Sequence, residues 1–184
     1  DAQTFEDEWG TRRRLTGDCL PAVIAQPVPD VTRHAGYTFP DPRADFRFAT
    51  LRRAAERFGD TRAIILNVRD GFSDLRDLLG YEAALMAPLT EPAACAAFLD
   101  RIVDYNLALA ERAVRTFGVR ILATTDDVAM ASGPLFPPEV YRERLLPAFR
   151  RAIQGFKALG CLTIKHCDGD ILPLADPWID AGID

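Results

Sequence analysis

The residues with the clearest chemical potential form the run H-C-D-G-D at positions 166–170. His166 and Asp168 are two positions apart, so in an extended strand both side chains point to one face, opposite to the residues that alternate with them. An imidazole beside a carboxylate can hold a divalent cation, or it can serve as an oriented general acid or base. A structural role is the alternative, in which Asp168 and Asp170 cap the next helix around a turn at Gly169.

Acidic side chains occur at two further places. Asp126 and Asp127 directly follow the apolar run 119–125, and adjacent carboxylates at such a point can bind a metal, an amine or pyrrole N–H groups. The alternative is that one of the two only caps a helix or a turn. The segment F-E-D-E-W-G-T-R-R-R at 5–14 could supply an acid, Asp7, and an arginine clamp for carboxylates. A solvated ion-pair cluster is the alternative interpretation of that segment.

These residues follow apolar runs that are bounded by turn residues, as expected of buried strands. The predicted strands are residues 62–68, 119–125 and 162–166. Amphipathic segments alternate with them, and the predicted helices are residues 46–58, 73–86, 98–117, 137–159 and 171–181, with a kink at Pro147. Residues 1–42 are rich in proline and glycine and are predicted to be loops that join short elements.

Alternating strands and helices indicate parallel βαβ units, in which the active site lies at the carboxyl ends of the strands. His166 and Asp168 should therefore converge with Asp127, because adjacent parallel strands lie about 4.8 Å apart. A parallel sheet of three strands is hard to cover on both faces. We therefore expect residues 1–184 to be one domain excerpted from a larger chain, with a small sandwich complete in itself as the alternative.

The composition argues against several classes of protein. A chain of 184 residues that is 48% hydrophobic can bury a core. Its net charge of −5, with no basic cluster beyond residues 12–14, makes nucleic acid an unexpected partner. No apolar stretch approaches the ~20 residues that cross a bilayer, and no signal peptide is recognisable, so we expect a cytoplasmic protein without membrane contact. Dinucleotide-binding, Walker A and serine-hydrolase motifs are absent.

The cysteines do not form a recognisable metal or disulfide pattern. No two of the four cysteines form a C-x-x-C pair, and their spacing suits neither a disulfide framework nor a zinc knuckle. They are Cys19, Cys95, Cys161 and Cys167. We expect most of them to be reduced core thiols. Cys167 alone lies near a predicted strand end, where contact with a ligand is plausible.

Five phrases resemble, in order and spacing, those of the uroporphyrinogen decarboxylase superfamily. This superfamily also includes methyltransferases that move methyl groups to or from corrinoid cofactors. The phrases are D-E-W-G-T at 7–11, F-P-D-P at 39–42, T-D-D at 125–127, G-P-L-F-P-P-E-V-Y-R-E-R-L-L-P at 133–147 and H-C-D-G-D at 166–170. The resemblance spans essentially the whole chain and is most specific from residue 121 onward.

The resemblance implies a (β/α)8 TIM barrel, seen here in part, with its active site at the carboxyl mouth. Asp7 is similar to the acid that gathers the pyrrole N–H groups of the substrate in the decarboxylases, and Asp127 falls where those enzymes keep a polar substrate contact. The methyltransferase branch carries H-x-C at 166–168, where zinc activates a thiol. This chain has Asp168 in place of that cysteine, which disfavours a thiolate-rich site and leaves a histidine and carboxylate site possible.

The leading hypothesis is metal-assisted methyl transfer between a small methyl donor or acceptor and a corrinoid. In that reaction the corrinoid is a co-substrate, and a corrinoid protein can be the partner that carries it. One alternative is decarboxylation of the acetate groups of a tetrapyrrole, which needs no cofactor, and another is a barrel that binds a corrinoid or partner without turnover. The predicted site residues are Asp7, Asp127 and His166 for catalysis, Trp9, Asp126 and Asp170 for substrate binding, and His166 and Asp168 for zinc or another divalent metal.

Overall fold

The computed structural model describes residues 3–17 and 21–184 and contains a three-stranded parallel sheet flanked by helices. The sheet consists of β4 (Ile65–Val68), β5 (Ile121–Thr125) and β8 (Leu162–His166), hydrogen-bonded in that order. All three predicted strands are confirmed, although the first two begin later than predicted. The α/β class is confirmed as well, whereas three strands do not by themselves close a barrel.

The predicted helices are present, but two of them, over 73–86 and over 137–159, are divided. Within the described ranges the α-helices are α1 (Ala49–Phe58), α2 (Phe72–Leu79), α3 (Tyr81–Thr90), α4 (Pro92–Phe117), α5 (Pro138–Val140), α6 (Leu146–Ala158) and α7 (Leu172–Ala181). The predicted helix over 73–86 is divided into α2 and α3 by Gly80, whose φ of 92° is incompatible with continued helix. None of the helices in these ranges is long and apolar enough to cross a membrane.

The predicted helix over 137–159 changes its winding ahead of Pro147. After the short α5, the chain makes a π-helical turn, Tyr141–Leu145, and α6 then begins at Leu146. Proline lacks the N–H that would bond to the carbonyl four residues earlier, and a π-type turn absorbs that misfit. The predicted kink therefore takes the form of a local change of helix type.

The amino-terminal segment holds a second sheet that was not predicted. Strands β1 (Thr4–Glu6), β2 (Arg12–Arg14) and β3 (Ala22–Ala25) pair antiparallel in that order. Two 3₁₀ helices, Val31–Gly36 and Asp45–Phe48, follow. The strands are three or four residues long and mostly exposed, so no alternation of apolar residues marks them in the sequence.

The two faces of the parallel sheet have different surroundings. Leu122 and Thr163 point to the face that α4 and α6 cover, and both are fully buried. The strand residues that alternate with these two point to the opposite face, where Ile65 is 53% exposed and Leu162 is 56% exposed. We call these the helix-covered face and the open face. The residues that directly follow each strand continue this alternation, so their successive side chains point to opposite faces.

The loop after β8 packs closely on a small hairpin that follows β5. The hairpin pairs β6 (Ala129–Met130) with β7 (Gly133–Pro134), and the Asp170 amide donates a hydrogen bond of 2.9 Å to the Met130 carbonyl. Gly169 has a φ of 89°, and a Cβ at this position would lie 2.5 Å from the Met130 carbonyl carbon and oxygen. Both the left-handed backbone and the close approach require glycine.

We expect Gly169→Ala to destabilise the protein more than Gly160→Ala does. Both glycines have left-handed φ angles, 89° and 80°, so alanine costs about 1–2 kcal/mol of backbone strain at each. A Cβ at position 160 meets no atom within 4 Å, whereas at position 169 it meets the Met130 backbone, which adds about 1–3 kcal/mol. Urea unfolding measures the difference, and equal free energies of unfolding would show that the loop accommodates the methyl group.

Candidate functional site

Three polar side chains converge beyond the carboxyl ends of β5 and β8. Asp127, His166 and Asp168 each offer one ligand atom, and these atoms lie within 4.8 Å of one another. His166 Nε2 is 3.5 Å from Asp168 Oδ1, and the Asp168 amide donates a hydrogen bond of 3.0 Å to Asp127 Oδ1. The predicted convergence is therefore confirmed. We call these three residues the acidic–histidine cluster.

The strand register brings the cluster together. Thr125 pairs with His166 in the sheet, and both side chains point to the open face. Asp127 and Asp168 each lie two positions after this pair, so their side chains point to the same face. The side chains of His166 and Asp168 are 58% and 79% exposed, so a ligand can reach them from solvent. One imidazole nitrogen and two carboxylates suit zinc or another divalent cation, and three protein ligands leave a coordination position open.

Asp170 lies outside the cluster and caps a helix. Its Oδ1 accepts a hydrogen bond of 3.1 Å from the Leu172 amide at the start of α7. This contact turns one carboxylate oxygen of Asp170 toward the helix, and its predicted substrate-binding role stays a prediction. Asp168 does not share the capping role, because its carboxylate faces His166.

Asp126 lies on the face opposite to Asp127, so the structure does not bring these two predicted site residues together. Its side chain is fully buried on the helix-covered face, where a substrate on the open face cannot contact it. Strand alternation is the physical reason, because consecutive residues point to opposite faces. The neighbours of Asp126 are Asp70 and Lys165, and the Lys165 ammonium lies 2.7 Å from Asp70 Oδ2.

The surroundings of Asp126 favour its protonated form. Neither carboxylate oxygen has a hydrogen bond of normal geometry within the described residues. Burial raises the pKa of Asp126 well above its ordinary value of 3.8, and the negative charge of Asp70 raises it further, whereas the positive charge of Lys165 lowers it. The buried group therefore pairs one ammonium with one carboxylate and favours a proton on the second acid.

A cavity of about 410 Å³ lies beside β4 and is lined by two of the predicted site residues, Asp7 and Trp9. Asp7 organises the turn between β1 and β2, since its Oδ1 accepts hydrogen bonds of 3.0 Å from the amides of Trp9 and Thr11. Its Oδ2 accepts a third bond, of 2.8 Å, from Arg13 Nε. A carboxylate has about four acceptor sites, so little capacity remains for a substrate.

The polar floor of this cavity consists of Arg69, which follows a predicted strand, and of Asp74, Asp77 and Asn106, which were not predicted. Arg69 Nη1 donates hydrogen bonds to Asp74 Oδ1 at 3.1 Å and to Asp77 Oδ2 at 2.7 Å, and Asn106 Nδ2 donates to Asp74 Oδ2 at 2.7 Å. Burial raises the pKa of Asp74, and the charge of Arg69 opposes that shift. Asp74 and Asn106 lie within helices, where nothing in the sequence distinguishes them from other polar residues, whereas Arg69 does follow a predicted strand.

The cavity and the acidic–histidine cluster are connected through Asn67 and Thr125 at the carboxyl ends of the strands. Asn67 lines the cavity and accepts a hydrogen bond of 3.1 Å from Thr125 Oγ1, and Thr125 pairs with His166 in the sheet. His166 therefore lies two strands away from Asn67, about 10 Å across the sheet, and two residues further along its strand. No cluster residue is among the described residues that line the cavity, so Asp7 lies apart from the cluster.

The described cysteines contribute no ligand to the cluster. Cys95 and Cys161 are buried and free, and Cys19 lies outside the described residues. Cys167 faces away from His166 along the strand, and its Sγ accepts a hydrogen bond of 3.2 Å from the Val128 amide. Burial raises the pKa of the Cys167 thiol, which disfavours the thiolate that a metal would require.

The parallel sheet flanked by helices defines a protein of the parallel α/β class. The polar cluster and the cavity are candidates for a site, because they lie at the carboxyl ends of the strands, where enzymes of that class bind their ligands. The sequence pattern of the family described as uroporphyrinogen decarboxylase (URO-D) matches residues 13–184. The chain therefore belongs to the uroporphyrinogen decarboxylase family.

Two similar proteins are methyltransferases. A methylated-thiol–coenzyme M methyltransferase of Methanosarcina mazei is 28% identical over 161 residues, which cover 85% of this chain and 42% of that protein. A solved structure described as a methyltransferase from Methanosarcina mazei shares the fold, with a TM-score of 0.73 and 19% identity over 99% of this chain and 51% of the other. The chain thus spans about half the length of these proteins or somewhat less.

We expect Asp126→Asn to stabilise the protein increasingly as pH rises. The folded pKa of Asp126 is raised, so the native carboxyl keeps a proton that the unfolded chain loses above about pH 3.8, and native stability falls from there up to the folded pKa. Asparagine has no proton to lose, so the variant should gain about 1.4 kcal/mol over the native protein for each pH unit in that window. Urea unfolding at several pH values measures this gain, and a difference independent of pH would contradict it.

Proposed function

We propose that this chain is part of a metal-dependent methyltransferase, which moves a methyl group between a small donor or acceptor and a corrinoid carried by a partner protein. The observation that carries the proposal is the acidic–histidine cluster, three potential metal ligands on the open face beside a cavity of small-molecule size. The names of the two similar proteins support methyl transfer, and the first of them names a methylated thiol.

We further propose that the parallel sheet belongs to a (β/α)8 barrel whose interior is the open face. Helices cover the opposite face, as they cover the outside of such barrels. Three apolar side chains of the open face, Ile65, Leu162 and Ile164, are between 44% and 56% exposed, which is typical of a surface that further strands would bury. Under this proposal the cluster lies at the carboxyl mouth.

The cluster residues fit a divalent metal by the chemistry and closeness of their donor atoms. Asp127, His166 and Asp168 would be its protein ligands, and a metal bound there supplies Lewis acidity that lowers the pKa of a thiol, hydroxyl or water. Asp168 replaces the cysteine of the resembling methyltransferases with a harder oxygen ligand. The hydrogen bond from the Asp168 amide to Asp127 Oδ1 holds the Asp127 carboxylate against the backbone of Asp168.

The adjoining cavity would hold the organic part of the substrate. Its volume of about 410 Å³ lies within the range of about 300–1,000 Å³ that is usual for small-molecule sites. Trp9 and Tyr105, whose rings are 4.7 Å apart, supply an apolar wall. Arg13 and Arg69 keep N–H groups beyond those used in their ion pairs, so they could bind an acidic group of the substrate.

The position of Asp7 favours methyl transfer over tetrapyrrole decarboxylation. A carboxylate that gathers pyrrole N–H groups needs free acceptor sites, and three donors from its own hairpin already bind Asp7. Incubation of the intact protein with uroporphyrinogen provides the comparison. Formation of coproporphyrinogen would overturn the proposed methyl transfer in favour of decarboxylation.

We expect His166→Ala to abolish metal binding and methyl transfer with little loss of stability. The exposed His166 ring contributes a proposed ligand and no core contact, so the free energy of unfolding should change by no more than about 0.5 kcal/mol. Cobalt(II) absorption reports metal binding, and the visible spectrum of a methylcobamide reports methyl transfer across a panel of small thiols, amines and alcohols.

The matched control is His34→Ala, which changes the other histidine of the chain. The His34 ring packs 5.4 Å from the Phe98 ring, so its loss should lower the melting temperature. His34 lies far along the chain from the cluster, so cobalt binding should stay intact. Full activity of His166→Ala with a lowered melting temperature would identify His166 as a structural residue and refute the metal site.

A further inference from the structure

Lys165 is a buried cation that the proposed chemistry does not use. Its side chain is 3% exposed, and its Nζ donates hydrogen bonds to Asp70 Oδ2 at 2.7 Å and to the backbone carbonyl of Asp126 at 3.0 Å. The ammonium also lies 5.6 Å and 5.4 Å from the ring centroids of Phe149 and Trp178. Two protein acceptors and two aromatic faces therefore surround it.

These contacts join the carboxyl ends of all three parallel strands. Asp70 follows β4, Asp126 follows β5, and Lys165 is itself the penultimate residue of β8. The carbonyl that Lys165 binds belongs to the peptide unit linking Asp126 to Asp127. The orientation of that peptide determines the direction in which the Asp127 side chain leaves the backbone. Lys165 also directly precedes His166, so one ammonium restrains the backbone on both sides of the cluster.

We propose that Lys165 is a positioning residue for the acidic–histidine cluster: by holding the Asp126–Asp127 peptide against β8, it keeps the Asp127 carboxylate within reach of His166 and Asp168. This inference rests on the proposed metal site. It assigns Lys165 no contact with metal or substrate, because its side chain points to the helix-covered face and the cluster lies on the open face.

The residue type supports this role. Only two of the 22 lysine and arginine residues of the sequence are lysines, yet one of them occupies this buried position. An ammonium is a compact centre with three donors, and it can bind a carboxylate and a carbonyl from different strands at once. The planar guanidinium of arginine is larger and would have to fit between Phe149 and Trp178.

A purely structural ion pair is the competing explanation, and two variants separate it from positioning. Lys165→Met removes the ammonium and leaves Asp70 as an unpaired buried charge, so stability should fall. Combining Lys165→Met with Asp70→Asn removes both charges, so much of the lost stability should return. The Asp126 carbonyl remains without its donor in both variants. Positioning therefore predicts that stability recovers in the double variant and metal affinity does not.

The experiment is titration of the intact protein with cobalt(II), read by visible absorption, at a temperature where circular dichroism shows each variant to be folded. We expect both variants to bind cobalt about 10- to 100-fold more weakly than the native protein, the usual effect of losing a group that orients metal ligands. Lys157→Met is the matched control, because Lys157 also bridges a carbonyl and a carboxylate, those of Gly182 and Asp184. Its cobalt affinity should equal that of the native protein.

The outcomes distinguish this inference from the function on which it rests. The positioning role would be overturned if Lys165→Met bound cobalt with native affinity, or if cobalt affinity returned together with stability in the double variant. Neither result would contradict the proposed metal site. A similar loss of affinity in Lys157→Met would also overturn it, since the effect would then follow from general destabilisation. Absence of cobalt binding in the native protein would overturn both proposals.

Discussion

Side chains of a strand point alternately to opposite faces, and the candidate site depends on this constraint. Lys165 and His166 are neighbours in β8, yet the first is buried against helices and the second is exposed on the open face. After β5, Asp126 is likewise buried, whereas Asp127 is half-buried and reaches the open face. The peptide units between Lys165 and His166 and between Asp126 and Asp127 therefore join a buried ionic group on one face to the ligand cluster on the other. A shift of either strand by one residue would exchange the two sets.

The buried group is stable because its charges balance. An isolated ammonium or carboxylate in this position would be strongly unfavourable, but Lys165 pairs with Asp70, and the raised pKa of Asp126 favours its neutral form. The rings of Phe149 in α6 and Trp178 in α7 face the ammonium and add a cation–π attraction. The outer helices are thereby tied to the strand ends that carry the cluster.

The chemistry of the cluster follows from which residues reach the open face. Asp168 offers a carboxylate where the resembling methyltransferases carry a cysteine, and the cysteine that this chain does have, Cys167, points away with a raised pKa. The site is thus built from oxygen and nitrogen donors, with an adjoining cavity whose floor is held by the ion pairs of Arg69. Such a set suits a divalent cation that binds a small polar substrate.

The sequence by itself determined the parallel α/β class and the meeting of Asp127, His166 and Asp168. Both follow from local rules, since apolar runs mark buried strands and neighbouring parallel strands bring their carboxyl ends together. The short β1–β3 sheet escaped prediction because its exposed strands bury too little to leave a pattern. The placement of Asp126 and Asp170 was decided by the tertiary structure alone. Their surroundings depend on strand register, on the packed helices and on the loop at Gly169, and these contacts form between residues distant in sequence.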